Sequence, residues 1–189
     1  MLFNKEHADI IRVNNLIPYS PIELIEVKSI TEENLFDGIS FNSKDELEQF
    51  RVFLNEGHFG YYAYYNGQCA LRTWIFTNEQ RCFVGQNFIY KLPSNEYFSG
   101  WSKTHPEFRK LGLFTQALLF AINEHSDKTI SGYVESDNIG SLKGTQKAGF
   151  ISIFRFTLFK LWRFKIQIKT FDHKKGQIQK IKFGSAIKS

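Results

Sequence analysis

The stretch FGYYAYYNGQCALRTWIFT, residues 59–77, restricts the fold more than any other part of the chain. Asn66-Gly67 stands between two runs of aromatic and branched residues, and this pair tolerates the positive φ angles that a two-residue turn imposes on its central positions. The segment predicts an antiparallel hairpin with strands at 59–65 and 68–77. Upstream, the turn-prone Pro18-Tyr-Ser-Pro21 precedes IELIEVK at 22–28, which reads as a first strand. Ser43 and Glu46 form a capping box, Leu47, Phe50 and Leu54 recur at helical spacing, and Gly57 is placed to end that helix. Two further strands are expected near 82–90 and 96–104.

Beyond them the period changes. Phe114, Ala117, Leu118, Ala121 and Ile122 fall on one helical face, residues 130–134 read as a short buried strand, and residues 138–148 as a helix closed by Gly149. From Ile153 the period is two: Phe154, Phe156, Leu158, Trp162, Phe164, Ile166 and Ile168 alternate with a face carrying Arg155, Arg163, Lys165 and Lys169. Strands dominate the first half and two βα units the second, so the expected class is α+β. At 189 residues and 42% hydrophobic the chain can bury one core, and no repeat or long linker divides it. The alternation ends near Thr170, which predicts a domain over 1–170 and a basic extension over 171–189.

The formal charge of +5 belongs to that end, because the residues from Arg163 onward hold eight Lys or Arg against one Asp and the rest of the chain sums to −2. The charged opening MLFNKEHADIIRVNN lacks the apolar centre of a signal peptide, and the longest apolar run, ALLFAI, is too short for a bilayer. A cytoplasmic protein is expected. Cys69 and Cys82 have no CxxC spacing and no His at metal spacing, so neither a disulfide framework nor a metal is expected.

HPEFRKLGLFTQALLFAI, residues 105–122, carries the chemistry. A strand that runs through a loop into a helix leaves the first helical N–H groups unpaired, and the aligned peptide dipoles place about half a positive charge there. Gly112 allows close approach to the backbone, and Arg109 and Lys110 add charge on the flank. The natural guest is a phosphate or pyrophosphate. Neither the nucleotide loop GxxxxGK[ST] nor the dinucleotide pattern GxGxxG occurs, so ATP hydrolysis and NAD binding have no support.

Arg109-x-x-Gly112-x-Phe114, followed by Asn138-x-x-Ser141 and Lys147-Ala-Gly149-Phe150, resembles the GNAT superfamily of acetyltransferases over residues 97–150. Their [RQ]xxGx[GA] loop binds the pyrophosphate of acetyl-CoA, and a later N..A...Y.k.GF segment follows. The resemblance implies a single GNAT-like domain with a mixed, mostly antiparallel sheet flanked by helices and splayed central strands. It implies acetyl-CoA as cosubstrate, held by Arg109, Lys110, Asn138 and the N–H groups of Leu111, Gly112, Leu113, Phe114 and Thr115. Backbone amides where the strand opens, from Ser102 to Thr104, would serve the thioester carbonyl. Phe114 departs from the small residue usual at the loop's last position, and Thr145 stands where many relatives have a proton-donating Tyr.

The acid and base stay open among Glu96, His105, Glu135 and Tyr133, while Asp137 reads as a helix cap. The acceptor is expected to be a small-molecule primary amine, with some of Tyr61, Tyr62, Tyr64, Tyr65, Trp74 and Trp101 facing its groove; aromatic faces suit an amino sugar, free or nucleotide-linked. A homodimer is left open. Two other readings keep part of this pattern: a non-catalytic CoA-binding regulator, prompted by Thr145, and a nucleic-acid or membrane-surface module using the basic tail. The second leaves the loop and the Asn138 helix without a purpose, so nucleic acid is not the expected partner.

Overall fold

The computed structural model describes residues 4–84, 88–160, 169–172, 177–179 and 184–185. The Asn66-Gly67 hairpin is present as β3 (Phe59–Tyr65) and β4 (Gln68–Phe76), with Asn66 and Gly67 at φ 48° and 80°. Around it a nine-stranded sheet is built from β1 (Asn4–Val13), β2 (Ile25–Ser29), β7 (Glu96–Thr104), β8 (Thr129–Glu135), β9 (Phe150–Lys160), β10 (Lys169–Asp172) and β11 (Gln177–Gln179). The order is β11-β10-β9-β1-β8-β7-β4-β3-β2, and every neighbouring pair is antiparallel except β7 with β8. The protein is α+β, with a mixed, mostly antiparallel sheet between helices.

α1 (Lys44–Asn55) covers one face. Phe50 and Phe53 bury their rings against Trp74 at centroid distances of 5.3 and 5.0 Å, each contributing about 1.5–3 kcal/mol by leaving water. α2 (Leu113–Glu124) and α3 (Ile139–Lys147) cover the other face, where Leu113, Ala117, Leu118 and Ile122 meet Tyr61, Ala63 and Ile75. β4 is therefore apolar on both sides: Trp74 and Phe76 face α1 while Leu71 and Ile75 face α2.

The largest departure from the expected elements is β1, which the sequence reading left without structure. It lies inside the sheet between β8 and β9, antiparallel to both. Ala8, Asp9, Ile10 and Ile11 are all buried, so the two-residue period that marks a half-exposed strand is absent. Asp9 is held there by its cross-strand partner Arg155, whose Nε and Nη2 donate to the two carboxylate oxygens at 2.9 and 3.0 Å. The first expected strand starts later, at Ile25, because Ile22 and Ile25 close a tight turn instead. The strand expected near 82–90 is reduced to β5 (Phe83–Val84) and β6 (Phe88–Ile89), joined in a small separate sheet by β12 (Gly184–Ser185).

Of the alternating stretch after Ile153, β9 runs to Lys160, and residues 161–168 lie outside the described residues. The boundary expected after Thr170 falls within β10, which pairs with β9. Among the described residues no helix is long and apolar enough to cross a membrane.

The capping box forms as expected: Ser43 Oγ accepts from Glu46 N at 3.1 Å, and Ser43 N donates to Glu46 Oε2 at 2.8 Å. The same carboxylate accepts from Arg72 Nη2 at 2.6 Å and Lys103 Nζ at 3.0 Å. Burial disfavours its charged form, but the Ser43 amide, Lys103 and Arg72 outweigh burial and hold the Glu46 carboxyl down at about 2. The folded value lies below the usual 4.5, so the stabilisation is complete above that pH and is lost as pH falls from there toward 2. Denaturant midpoints measured between pH 7 and pH 3 are expected to fall more steeply for the wild type than for Glu46→Gln, which cannot titrate.

Candidate active site

β7 and β8 pair only from Glu96↔Thr129 to Ser99↔Gly132. At that point β7 bulges: Gly100 still faces Trp74 and Lys103 faces Arg72, so Trp101 and Ser102 together stand opposite Thr73. Trp101 takes φ 50°, a left-handed conformation uncommon for a bulky residue. The bulge turns β7 off its path, and a cleft of about 290 Å³ opens between it and β8. Gly100, Trp101 and Ser102 line one wall, Tyr133 and Glu135 the other, and Phe114, Asn138 and Thr145 of the helical layer close the base.

The loop after β7 leads to one mouth of this cleft. His105 Nδ1 accepts from Glu107 N at 3.3 Å and caps the short turn Pro106–Phe108, while its ring meets Phe41 and Phe108 edge-on. Lys110 and Gly112 both take left-handed φ, 68° and 83°, and Gly112 is the N-cap of α2 with no side-chain cap. The first helical bond runs from Gln116 N to Gly112 O at 3.0 Å, which leaves the amides of Leu113, Phe114 and Thr115 without an acceptor inside the helix. A Cβ built on Gly112 would meet nothing within 4 Å, so the space beside this cap residue is open. Arg109 and Lys110 are exposed, the first turn carries no acidic residue, and among the described residues neither cation has an ion-pair partner. Such an end attracts an anion.

Asn138 does two things. It lines the cleft, and its Oδ1 accepts from Ser141 N at 3.1 Å as the N-cap of α3. The cap expected at Asp137 is thus one residue too early, because the first bond of α3, Leu142 N to Asn138 O at 3.0 Å, begins at Asn138. Phe114 is accommodated by a glycine on the neighbouring helix: its ring edge lies 2.8 Å from where a Cβ of Gly144 would stand, and Thr115 Oγ1 donates to Gly144 O at 3.2 Å. Thr145 is buried at the cleft and its hydroxyl donates to Leu142 O at 3.0 Å, within its own helix.

The four acid–base candidates separate. Glu135, exposed, and Tyr133, half-buried, line the cleft, with the Tyr133 hydroxyl 3.5 Å from Glu135 Oε1 and its ring stacked on Phe156. Glu96 is buried away from the cleft, paired with Arg12 Nη2 at 2.8 Å and accepting from Ser131 Oγ at 2.6 Å. His105 is engaged in capping its own turn. Of the amides expected around the thioester carbonyl, Ser102 borders the cleft, whereas Thr104 lies beyond it, paired with Leu71.

The aromatic groove is also corrected. Tyr61, Tyr62 and Trp74 are wholly buried and Tyr64 nearly so, and the Tyr62 hydroxyl donates to Leu35 O at 2.8 Å and the Tyr64 hydroxyl to Asp37 Oδ2 at 2.6 Å. Of the six expected aromatics only Trp101, 41% exposed, borders the cleft. The bulge and the buried Arg72 behind it are further parts of the site that the sequence pattern did not single out. Gly100 inside a strand pattern signals a bulge, and a lone charged residue in the largely apolar ALRTWIF signals a polar task.

The arrangement of sheet and helices recurs in solved structures. The fold is the GNAT fold. A GNAT-family acetyltransferase from Colwellia psychrerythraea superposes with a TM-score of 0.61 at 19% identity, over 86% of this chain and 58% of its own. The glucosamine N-acetyltransferase region of a fungal multi-domain beta-N-acetylglucosaminidase gives 0.54 at 12% identity, over 82% of this chain and 20% of that one. A tandem GNAT protein from the clavulanic acid biosynthesis pathway gives 0.51 at 11%, over 82% and 52%. The chain thus spans less than two thirds of each of these proteins. No protein-family model and no curated protein matches the sequence. In this GNAT fold the parted strands are β7 and β8, and α2 reaches the cleft through Phe114 of its first turn.

Proposed function

We propose that the protein transfers an acetyl group from acetyl-CoA to a primary amine of a small molecule. The observation that carries this reading is the open, uncapped start of α2 between Arg109, Lys110 and Gly112 at the mouth of the parted strands. A pyrophosphate at those amides directs the rest of the cofactor along the helical wall into the cleft. The thioester carbonyl then meets the bulge, where the Ser102 N–H stabilises the oxyanion formed as the amine attacks. Glu135 takes the amine proton, directly or through one water, and Tyr133, within 3.5 Å of it, supplies a proton to the departing thiolate. Thr145 stays outside the chemistry, because its hydroxyl is committed to Leu142 O.

An amino sugar is the acceptor class we favour. The exposed Trp101 ring at the cleft suits the C–H face of a sugar, and a protein of like fold is described as a glucosamine N-acetyltransferase region. Cys69 and Cys82 are free and buried, which suits the reducing cytoplasm.

Acetyl-CoA at about a hundred times its Kd is expected to raise the stability of the wild type by roughly 2.7 kcal/mol. Gly112→Asp abolishes that rise: Asp tolerates a left-handed backbone better than most residues, so the variant folds, but its carboxylate meets the pyrophosphate. Thermal denaturation with and without acetyl-CoA reads this, and a folded variant stabilised like the wild type would rule the site out.

In an acceptor screen that detects released CoA, Glu135→Gln is expected to lower kcat by about 10²-fold or more, the range for losing a general base. Binding of acetyl-CoA without turnover of any amine by the wild type would instead identify a non-catalytic CoA binder. Thr145→Val keeps the side-chain shape, and turnover is expected to fall far less than the roughly hundredfold loss of a general acid. A collapse in kcat with unchanged KM for acetyl-CoA would return the hydroxyl to the mechanism.

A further inference from the structure

Arg72 lies in the middle of β4, between the buried Leu71 and the buried Thr73 of an otherwise largely apolar strand, and it is itself only 4% exposed. Taking a guanidinium out of water costs several kcal/mol, and an apolar side chain of similar volume would pack the site at least as well. Its contacts point elsewhere. Nε donates to Asn42 Oδ1 at 2.7 Å, Nη2 to Glu46 Oε1 at 2.6 Å, and Nη1 to the carbonyl oxygen of Trp101. Phe50 lies against one part of the guanidinium and Trp101 against another, with ring centroids 4.9 and 5.5 Å from Cζ. Both the carbonyl and the ring of the bulge residue are thus held by one side chain, which is anchored at the start of α1.

The peptide between Trp101 and Ser102 is trans, so its C=O and N–H point in opposite directions. Fastening the carbonyl to Arg72 sends the Ser102 N–H away from it. Ser102 lines the cleft and Arg72 does not. A charged donor on a carbonyl also polarises the peptide and strengthens its N–H as a donor. We propose that Arg72 is the positioning residue of the acetyl-transfer site, turning and polarising the Trp101–Ser102 peptide so that its N–H meets the thioester oxygen. Arg72 touches neither substrate. It also offsets the unfavourable left-handed backbone of Trp101.

The inference rests on the acetyl-transfer reading, and its test separates the two. Arg72→Lys keeps a cation beside Glu46 and so keeps the fold, but an ammonium cannot reproduce the three-way fork; Arg72→Met removes the donor altogether. Circular dichroism and thermal denaturation establish that each variant is folded. Both are expected to lower kcat, Arg72→Met approaching the roughly hundredfold loss seen when an oxyanion donor is removed and Arg72→Lys less, while KM and Kd for acetyl-CoA stay near wild type. A merely structural role would change stability and leave kcat of the folded fraction intact, and that result overturns the proposal. The second readout needs no turnover: in ¹⁵N-labelled protein the Ser102 amide proton is expected to move upfield in Arg72→Lys. If the wild type turns over no acyl-CoA, the acetyl-transfer reading fails by itself, and an unmoved Ser102 amide then overturns the positioning as well.

Discussion

The parting of β7 from β8 after Ser99↔Gly132 governs the molecule. A sheet interior does not leave backbone N–H and C=O groups unpaired without cause, since each costs free energy when hidden from water. Up to the last pair the strands are close enough that a Cβ on Gly132 would lie 3.2 Å from Ser99 O. Beyond it β7 stays with β4 through the bulge, and β8 stays with β1 through Ala8↔Glu135. Each strand therefore keeps one partner beyond the parting, and the cleft forms between two otherwise intact half-sheets.

Polar networks brace the two ends of this opening. At the paired end, Arg12 of β1 reaches Glu96 of β7 and Ser131 of β8, so one guanidinium ties three strands together where they still run side by side. At the open end, Arg72 ties the bulge to α1 through Glu46 and Asn42. Each network contains a carboxylate–guanidinium contact with one buried partner, Glu96 or Arg72, whose attraction must offset desolvation, and such pairs specify geometry more than they add stability. Glu96 belongs to this bracing, which is why an acid beside the central strand lies away from the cleft it was expected to serve.

The helical wall shows how a departure from a motif is absorbed. Phe114 occupies the loop position where a small residue is usual in the family that the sequence resembles, and Gly144 on α3 supplies the missing space in its place. The larger ring is therefore taken up in the packing between α2 and α3, where Thr115 Oγ1 also donates to Gly144 O.

The sequence alone determined the features that depend on a few adjacent residues: the Asn66-Gly67 turn, the Ser43–Glu46 box, the glycine stops at Gly57 and Gly149, and the loop from Arg109 to Thr115. Each is set by local φ preference, capping or unpaired amides, which near neighbours in the chain decide. Tertiary structure decided where β1 sits, because a strand buried on both faces carries no alternation and Asp9 is legible only beside Arg155. It also decided which aromatics meet the cleft. Tyr62 and Tyr64 share one face of β3 and Tyr61 lies on the other, and both faces of that strand are covered by helices, so the pattern could not tell core from cleft. The choice between Glu135 and Glu96 rests on which strand end opens, and that is set by the β7 bulge, an interaction between residues 29 apart in the chain.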